Sequence, residues 1–210
     1  VVELTTSTRA HLDRLPDKCL DVRSLGWQML NKSVDDVEFL HPGRYRWTLD
    51  DLAAKYLTET QYGQTRRQVI WDHFKLATET LRQTVPVAAV WVGGSFLSTK
   101  AEPSDVDAVY IVRGRAYDAL DDESKQFVSV FNGGEQLKAN GLLVDSYVIH
   151  WTPRASNGPE TESDLQQLTA RGYWDDWLQR HKIDRTAPAT DQDAFPVRGY
   201  VEVILDGFDA

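Results

Sequence analysis

Residues 90–112, VWVGGSFLSTKAEPSDVDAVYIV, constrain this chain more than any other stretch. An apolar run ends in Gly93, Gly94 and Ser95. A polar spacer follows, and Asp105 and Asp107 then open a second apolar run. Successive side chains of a strand point to opposite faces. Asp105 and Asp107 therefore share a face with Val109 and Ile111, while Val106, Ala108 and Tyr110 take the other. Two carboxylates on one face of an otherwise apolar strand repel each other, and burying them unpaired is costly. A divalent cation removes that cost, because Mg²⁺ takes oxygen ligands, usually one or two carboxylates together with substrate phosphates. A third acid, Asp145, stands among largely apolar neighbours in LLVDSYVI. If its strand lies beside DVDAVYIV, three carboxylates converge; Glu135 or another acid is the alternative for the third position.

The glycine turn supplies the second half of the pattern. It follows a strand and is read as opening a short helix at SFLST. Backbone N–H groups at glycines approach a phosphate closely, and a helix N-terminus favours negative charge. Gly93, Gly94 and Ser95 are thus candidates to cradle a triphosphate, with Lys100 in the spacer either reaching the phosphates or lying solvated in the loop.

The rest of the chain reads as scaffold. Its 210 residues fit one domain with an appendage. Residues 1–40 form an N-terminal helical extension, and 41–210 form the domain, with its core at about 85–151. HPGRYRWT is a turn-like entry, and Thr48 caps a helix with Asp50 and Asp51 in its first turn. A helix is expected over 64–85, with Val69 or Ile70, Phe74, Ala77 and Leu81 on one face. Strands follow at VAAVWV and DVDAVYIV, a helix over 118–138 broken or ended near Gly133 and Gly134, a strand at GLLVDSYVIHW, a helix over 164–181 and a last strand at RGYVEVIL. That order predicts an α/β (α+β) domain with a mixed β-sheet flanked by helices.

Several chemistries are excluded. Cys19 is the single cysteine, so there is neither a disulfide framework nor a cysteine zinc cluster. No Ser–His–Asp signature and no P-loop lysine appear. His150, at a strand end, reads as structural. No apolar run approaches the roughly 18 residues of a membrane span, and the N-terminal residues lack the apolar centre of a signal peptide; the expectation is a cytoplasmic protein with no membrane partner. A net charge of −9 argues against broad nucleic-acid binding but allows a local basic patch. Arg44, Arg46, Arg66 and Arg67 are candidates for such a patch, with ordinary surface the weightier reading. Tyr173, Trp174 and Trp177 are placed to stack on a base, but their helical spacing favours packing against the core.

The motifs VWVGGS, FLSTKAEPS, DVD and VD, in that order, resemble the DNA polymerase β-like nucleotidyltransferase superfamily. More narrowly, HPGRYRWTLDDL, GGSFLSTKAEPSDVD and RGYVEVIL are similar to a group of small stand-alone bacterial and phage proteins on that nucleotidyltransferase fold. The similarity spans about 41–205 and leaves the first 40 residues outside. It implies a Mg²⁺- or Mn²⁺-dependent transfer of a nucleoside monophosphate from a nucleoside triphosphate (NTP). Asp105 and Asp107 would bridge the metal ions, Asp145 would hold the catalytic one and help activate an acceptor hydroxyl, and Gly94 and Ser95 would hold the triphosphate tail. The acceptor stays open: RNA or protein, in a toxin–antitoxin or phage-defence setting. The alternatives are a catalytically silent binding protein on the same fold, with the N-terminal extension as its arm for a protein partner, and an adenylyltransferase acting on a small-molecule antibiotic.

Overall fold

The computed structural model describes residues 37–58, 64–133, 135–154, 157–182 and 186–208, all within one contact unit, Val37–Ala210. The expected N-terminal extension lies, up to residue 36, outside the described residues.

Five strands form one mixed sheet in the order β1-β5-β2-β3-β4. At its centre, β2 (Val87–Gly93) pairs antiparallel with β3 (Val106–Arg113). β2 is continuously apolar, and β3 is apolar from Ala108 to Val112, because both faces of the sheet are covered there. β5 (Gly199–Ile204) runs antiparallel along the other side of β2, and β4 (Val144–Trp151) runs parallel to β3. β1 (Gly43–Arg46) lies parallel to β5 at the far edge. The turn-like entry expected at HPGRYRWT is therefore in part a strand. Four residues behind Pro42 and a positive-φ Gly43 carry no strand signal of their own. They become one by pairing with a segment as far as 156 positions away.

The strand alternation read from the sequence holds. Val106, Ala108, Tyr110 and Val112 pack on one face with Ile70, Phe74, Ala77 and Leu81 of the long helix α2 (Gln64–Thr84). Ile70 is fully buried whereas Val69 is 40% exposed, which settles the helix phase. Each such aliphatic or aromatic side chain taken fully out of water contributes roughly 1.5–3 kcal/mol. On the opposite face Val109 and Ile111 pack with Trp91, Ile149 and Tyr200 under Leu178 of α6 (Glu162–Gln179).

Caps fix the helix starts. Thr48 accepts a hydrogen bond from the Asp51 N–H and Asp51 returns one, opening α1 (Leu49–Ala53), which continues into wider turns over Ala54–Thr58. The helix expected over 118–138 is distributed over α3 (Gly114–Asp118), α4 (Asp122–Ser129) and α5 (Glu135–Ala139); the break expected near Gly133 and Gly134 separates α4 from α5, and a further, unexpected break separates α3 from α4. The further break lies where Asp121, in extended backbone, caps α4 and restarts the helix. Among the described residues no helix is long and apolar enough to cross a membrane.

Candidate functional site

The acids, the glycine turn and a set of cations meet at one end of the sheet. Gly93, the last residue of β2, pairs with Asp107 of β3, and Asp107 pairs with Asp145 of β4. Parallel register puts paired residues on the same face, so Asp107 and Asp145 point together. Asp105 stands two residues before Asp107, just ahead of the strand, and accepts a hydrogen bond from the Ser104 hydroxyl at 3.0 Å. All three acids line a cavity of about 420 Å³ together with Ser95.

Gly94 ties the turn to the acids. Its φ of +82° is a conformation that suits glycine. A Cβ there would lie 2.6 Å from Asp107 Oδ2 and 2.8 Å from its Cγ, so any side chain would displace the carboxylate. Ser95 opens a short turn of 3₁₀ helix (Ser95–Leu97) with Gly94 at its N-cap. The spacer to Asp105 is pinned by two arginines of α2. Arg67 is fully buried and donates to the carbonyls of Phe96, Ser98 and Lys100; Arg66 donates to those of Pro103 and Ser104. A buried guanidinium is tolerable where carbonyls receive its donors. These two arginines hold the loop that carries the site, and they do not form a strip with Arg44 and Arg46. Arg46 is paired with Glu202 at 3.0 Å, and the Arg44 guanidinium lies 5.6 Å from the Trp91 ring centroid.

Lys100 is exposed and does not line the cavity. The cavity's cations come from elsewhere: Lys138 of α5, Arg180 and Lys182 after α6, and Arg198 before β5. Arg198 is nearly buried; its Nε donates to the Leu178 carbonyl at 3.0 Å and its Nη2 lies 3.6 Å from Asp107 Oδ2. Lys138 Nζ lies 2.7 Å from Asp105 Oδ2 and 3.0 Å from Asp145 Oδ2. None of these was singled out in the sequence. The available signals were faint: Arg198 directly precedes the last strand, and Lys138 stands seven positions before Asp145. Trp174 and Trp177 pack against the core on the α6 face, as their spacing suggested, and Trp177 also lines the cavity; Tyr173 is 56% exposed. His150 stacks against Tyr117 with ring centroids 4.1 Å apart.

The electrostatics follow from this crowding. Burial first, then the charges of Asp105 and Asp145, push the Asp107 carboxyl up to about 6, with Arg198 and Lys138 pulling the other way. Burial lowers the Lys138 ammonium's pKa, but hydrogen bonds to Asp105 and Asp145 prevail and raise it. Asp145 Oδ1 is buried with no hydrogen-bond partner among the described residues. Among those residues no group of three or more His, Cys, Asp or Glu side chains is set to hold a metal by itself. The donors nonetheless suit a hard divalent cation. They are oxygens only, one buried oxygen is unclaimed, and a cationic ammonium already lies between two of the carboxylates.

The fold and site define a mixed α/β protein whose cavity is lined by interleaved carboxylates and cations. The chain belongs to a family of unknown function, DUF6932, whose model matches residues 33–204. No curated protein and no solved structure matches it.

Proposed function

We propose that this protein is a metal-dependent nucleotidyltransferase on the nucleotidyltransferase fold, moving a nucleoside monophosphate from an NTP to a hydroxyl of RNA or protein. The observation that carries the reading is the register Gly93–Asp107–Asp145 across three strands, which sets the glycine turn beside two carboxylates. Asp105, Asp107 and Asp145 would hold Mg²⁺ or Mn²⁺. A bound divalent ion would supply Lewis-acid polarisation and charge neutralisation at the phosphates. The remaining chemistry belongs to the chain. Ser95 and the backbone around Gly94 hold the triphosphate tail, and Arg198 keeps Asp107 in place. The acceptor oxygen attacks the α-phosphorus, the bond from that phosphorus to the bridging oxygen breaks, and pyrophosphate leaves with the electron pair. The acceptor's proton passes to a carboxylate, the role this reading gives to Asp145.

The test is label transfer. Wild type and Asp107→Ala are incubated with each α-labelled NTP, Mg²⁺ and a cell lysate, and label is sought in RNA, protein and small molecules. Transfer by wild type but not by the variant is expected; label in small molecules would redirect the reading to an antibiotic-type adenylyltransferase. A second reading, a silent binding protein, is favoured by one observation: Lys138 neutralises two of the acids without a metal. No transfer from any nucleotide, with wild type still capturing a protein partner, decides for it.

A further inference from the structure

Lys138 occupies the place where a metal ion would act. Its ammonium contacts Asp105 Oδ2 at 2.7 Å and Asp145 Oδ2 at 3.0 Å, bridging carboxylates from two segments of the sheet. One position cannot hold both an ammonium and a divalent cation, because each needs the same oxygens and the two charges repel. The lysine can leave without moving the backbone. Its side chain is 32% exposed, it faces the cavity, and its stem turns about free single bonds.

Taking nucleotidyl transfer as the reaction, we infer that Lys138 is a resident counter-cation that metal-bound triphosphate displaces, and that the freed ammonium then pairs with the phosphates. A metal arriving alone evicts Lys138 into a cavity that already holds Arg198, Arg180 and Lys182, so the ammonium loses two carboxylates, and the other acid lining the cavity, Asp193, is already engaged by Thr190. A metal arriving with triphosphate brings the replacement cation and a new anionic partner for the lysine together. Lys138 therefore couples the two ligands: nucleotide strengthens metal binding, and metal strengthens nucleotide binding by the same factor. It also holds Asp105 and Asp145 together when neither ligand is bound.

The experiment is titration of Mn²⁺, read by the electron paramagnetic resonance of the free ion, with and without a non-hydrolysable NTP. Wild type, Lys138→Met and Lys138→Arg are compared, with thermal unfolding in chelator alongside. Wild type binds Mn²⁺ weakly alone, and on the order of tenfold more tightly with nucleotide. Lys138→Met raises the nucleotide-free affinity for Mn²⁺ by a similar factor, the leverage usual for a group beside a metal ligand, and shrinks the coupling. Its melting temperature in chelator falls below wild type and recovers with Mn²⁺ alone. Lys138→Arg, which keeps the charge, retains weak nucleotide-free binding. Should Lys138→Met not fold, Lys138→Gln removes the charge while leaving a donor. If the uncharged variant binds nucleotide-free Mn²⁺ no better than wild type, while wild type still binds it with NTP, the lysine inference is overturned and the transferase reading survives. If wild type binds no Mn²⁺ with any NTP, both are overturned.

Discussion

Asp206 and Asp107 sit at opposite ends of β2 and live in opposite surroundings. Asp206 accepts from Arg82 at 2.5 and 3.2 Å and from the Val87 N–H at 2.8 Å, while Arg113 donates to the backbone carbonyls of Asp206 and Gly207. The Arg82 hydrogen bond, above all, holds its carboxyl below the usual range. Asp107, beside the other end of the same strand, has one guanidinium at 3.6 Å and two more carboxylates for neighbours, and its carboxyl is pushed up. At one end of the sheet every acceptor is matched and the carboxylate stabilises the fold. At the other, acids crowd together at a cost to stability. Of the acids at that end, Asp105 and Asp145 are paired with Lys138, and the cost of the crowding falls on Asp107.

Four substitutions test that contrast. The largest effect is expected from Gly94→Val. A side chain in this positive-φ, extended-ψ backbone, which is essentially reserved for glycine, costs about 1–3 kcal/mol, and its Cβ drives into Asp107. Triphosphate binding, measured by calorimetry, should disappear; retained binding would detach the glycine turn from the acids. Next, Asp206→Asn should destabilise the protein by about 1.5–3 kcal/mol, nearer the lower figure because Arg82 is partly exposed, with triphosphate binding unchanged. Its pH dependence has a definite sign. A carboxyl whose pKa is lowered by folding contributes its full stability above its ordinary value of 3.8 and loses it as pH falls through the lowered one. The gap between wild type and Asp206→Asn in urea melts should therefore be flat at neutral pH and close in acid.

Asp107→Asn should do the reverse of Asp206→Asn: remove transfer and raise the melting temperature of the metal-free protein, by about 2–4 °C for each kcal/mol of relieved repulsion. A lower melting temperature would mean that Arg198 stabilises Asp107 more than its neighbours oppose it. The smallest effect belongs to Lys100→Ala. Its side chain is exposed and outside the cavity, so triphosphate affinity should stay within error of wild type.

What could be read in the sequence was whatever depends on near neighbours in the chain. The parity of Asp105 and Asp107 with Val109 and Ile111 follows from strand geometry alone, and the N-cap at Thr48 needs only the four residues from Thr48 to Asp51. Long-range pairing was beyond reach. β1 exists because β5 lies beside it, and Arg67 is buried because three carbonyls of a distant loop receive it. The acidic half of the cavity came from two strands with clear apolar flanks. Its cationic half came from a helix end, a loop and the residue before β5, where an isolated Lys or Arg looks like any surface residue until the fold brings it inward. In the helix expected over 118–138, the break near Gly133 and Gly134 was legible from the glycines, whereas the one at Asp121 was not: the residues around it suit a helix, and Asp121 acts as a cap that restarts one.

The place of β5 in the sheet has a consequence for biosynthesis. It is the last strand in chain order, yet it lies between β1 and β2, and the arginine facing Asp107 directly precedes it. While the ribosome is still translating the segment before Gly199, β1 has no partner strand and β2 has an open edge. Unpaired edges of this kind recruit other chains. A nascent or prematurely terminated product thus carries the glycine turn and all three acids without the strand that closes the sheet, and its open edges make it a substrate for chaperones and proteases.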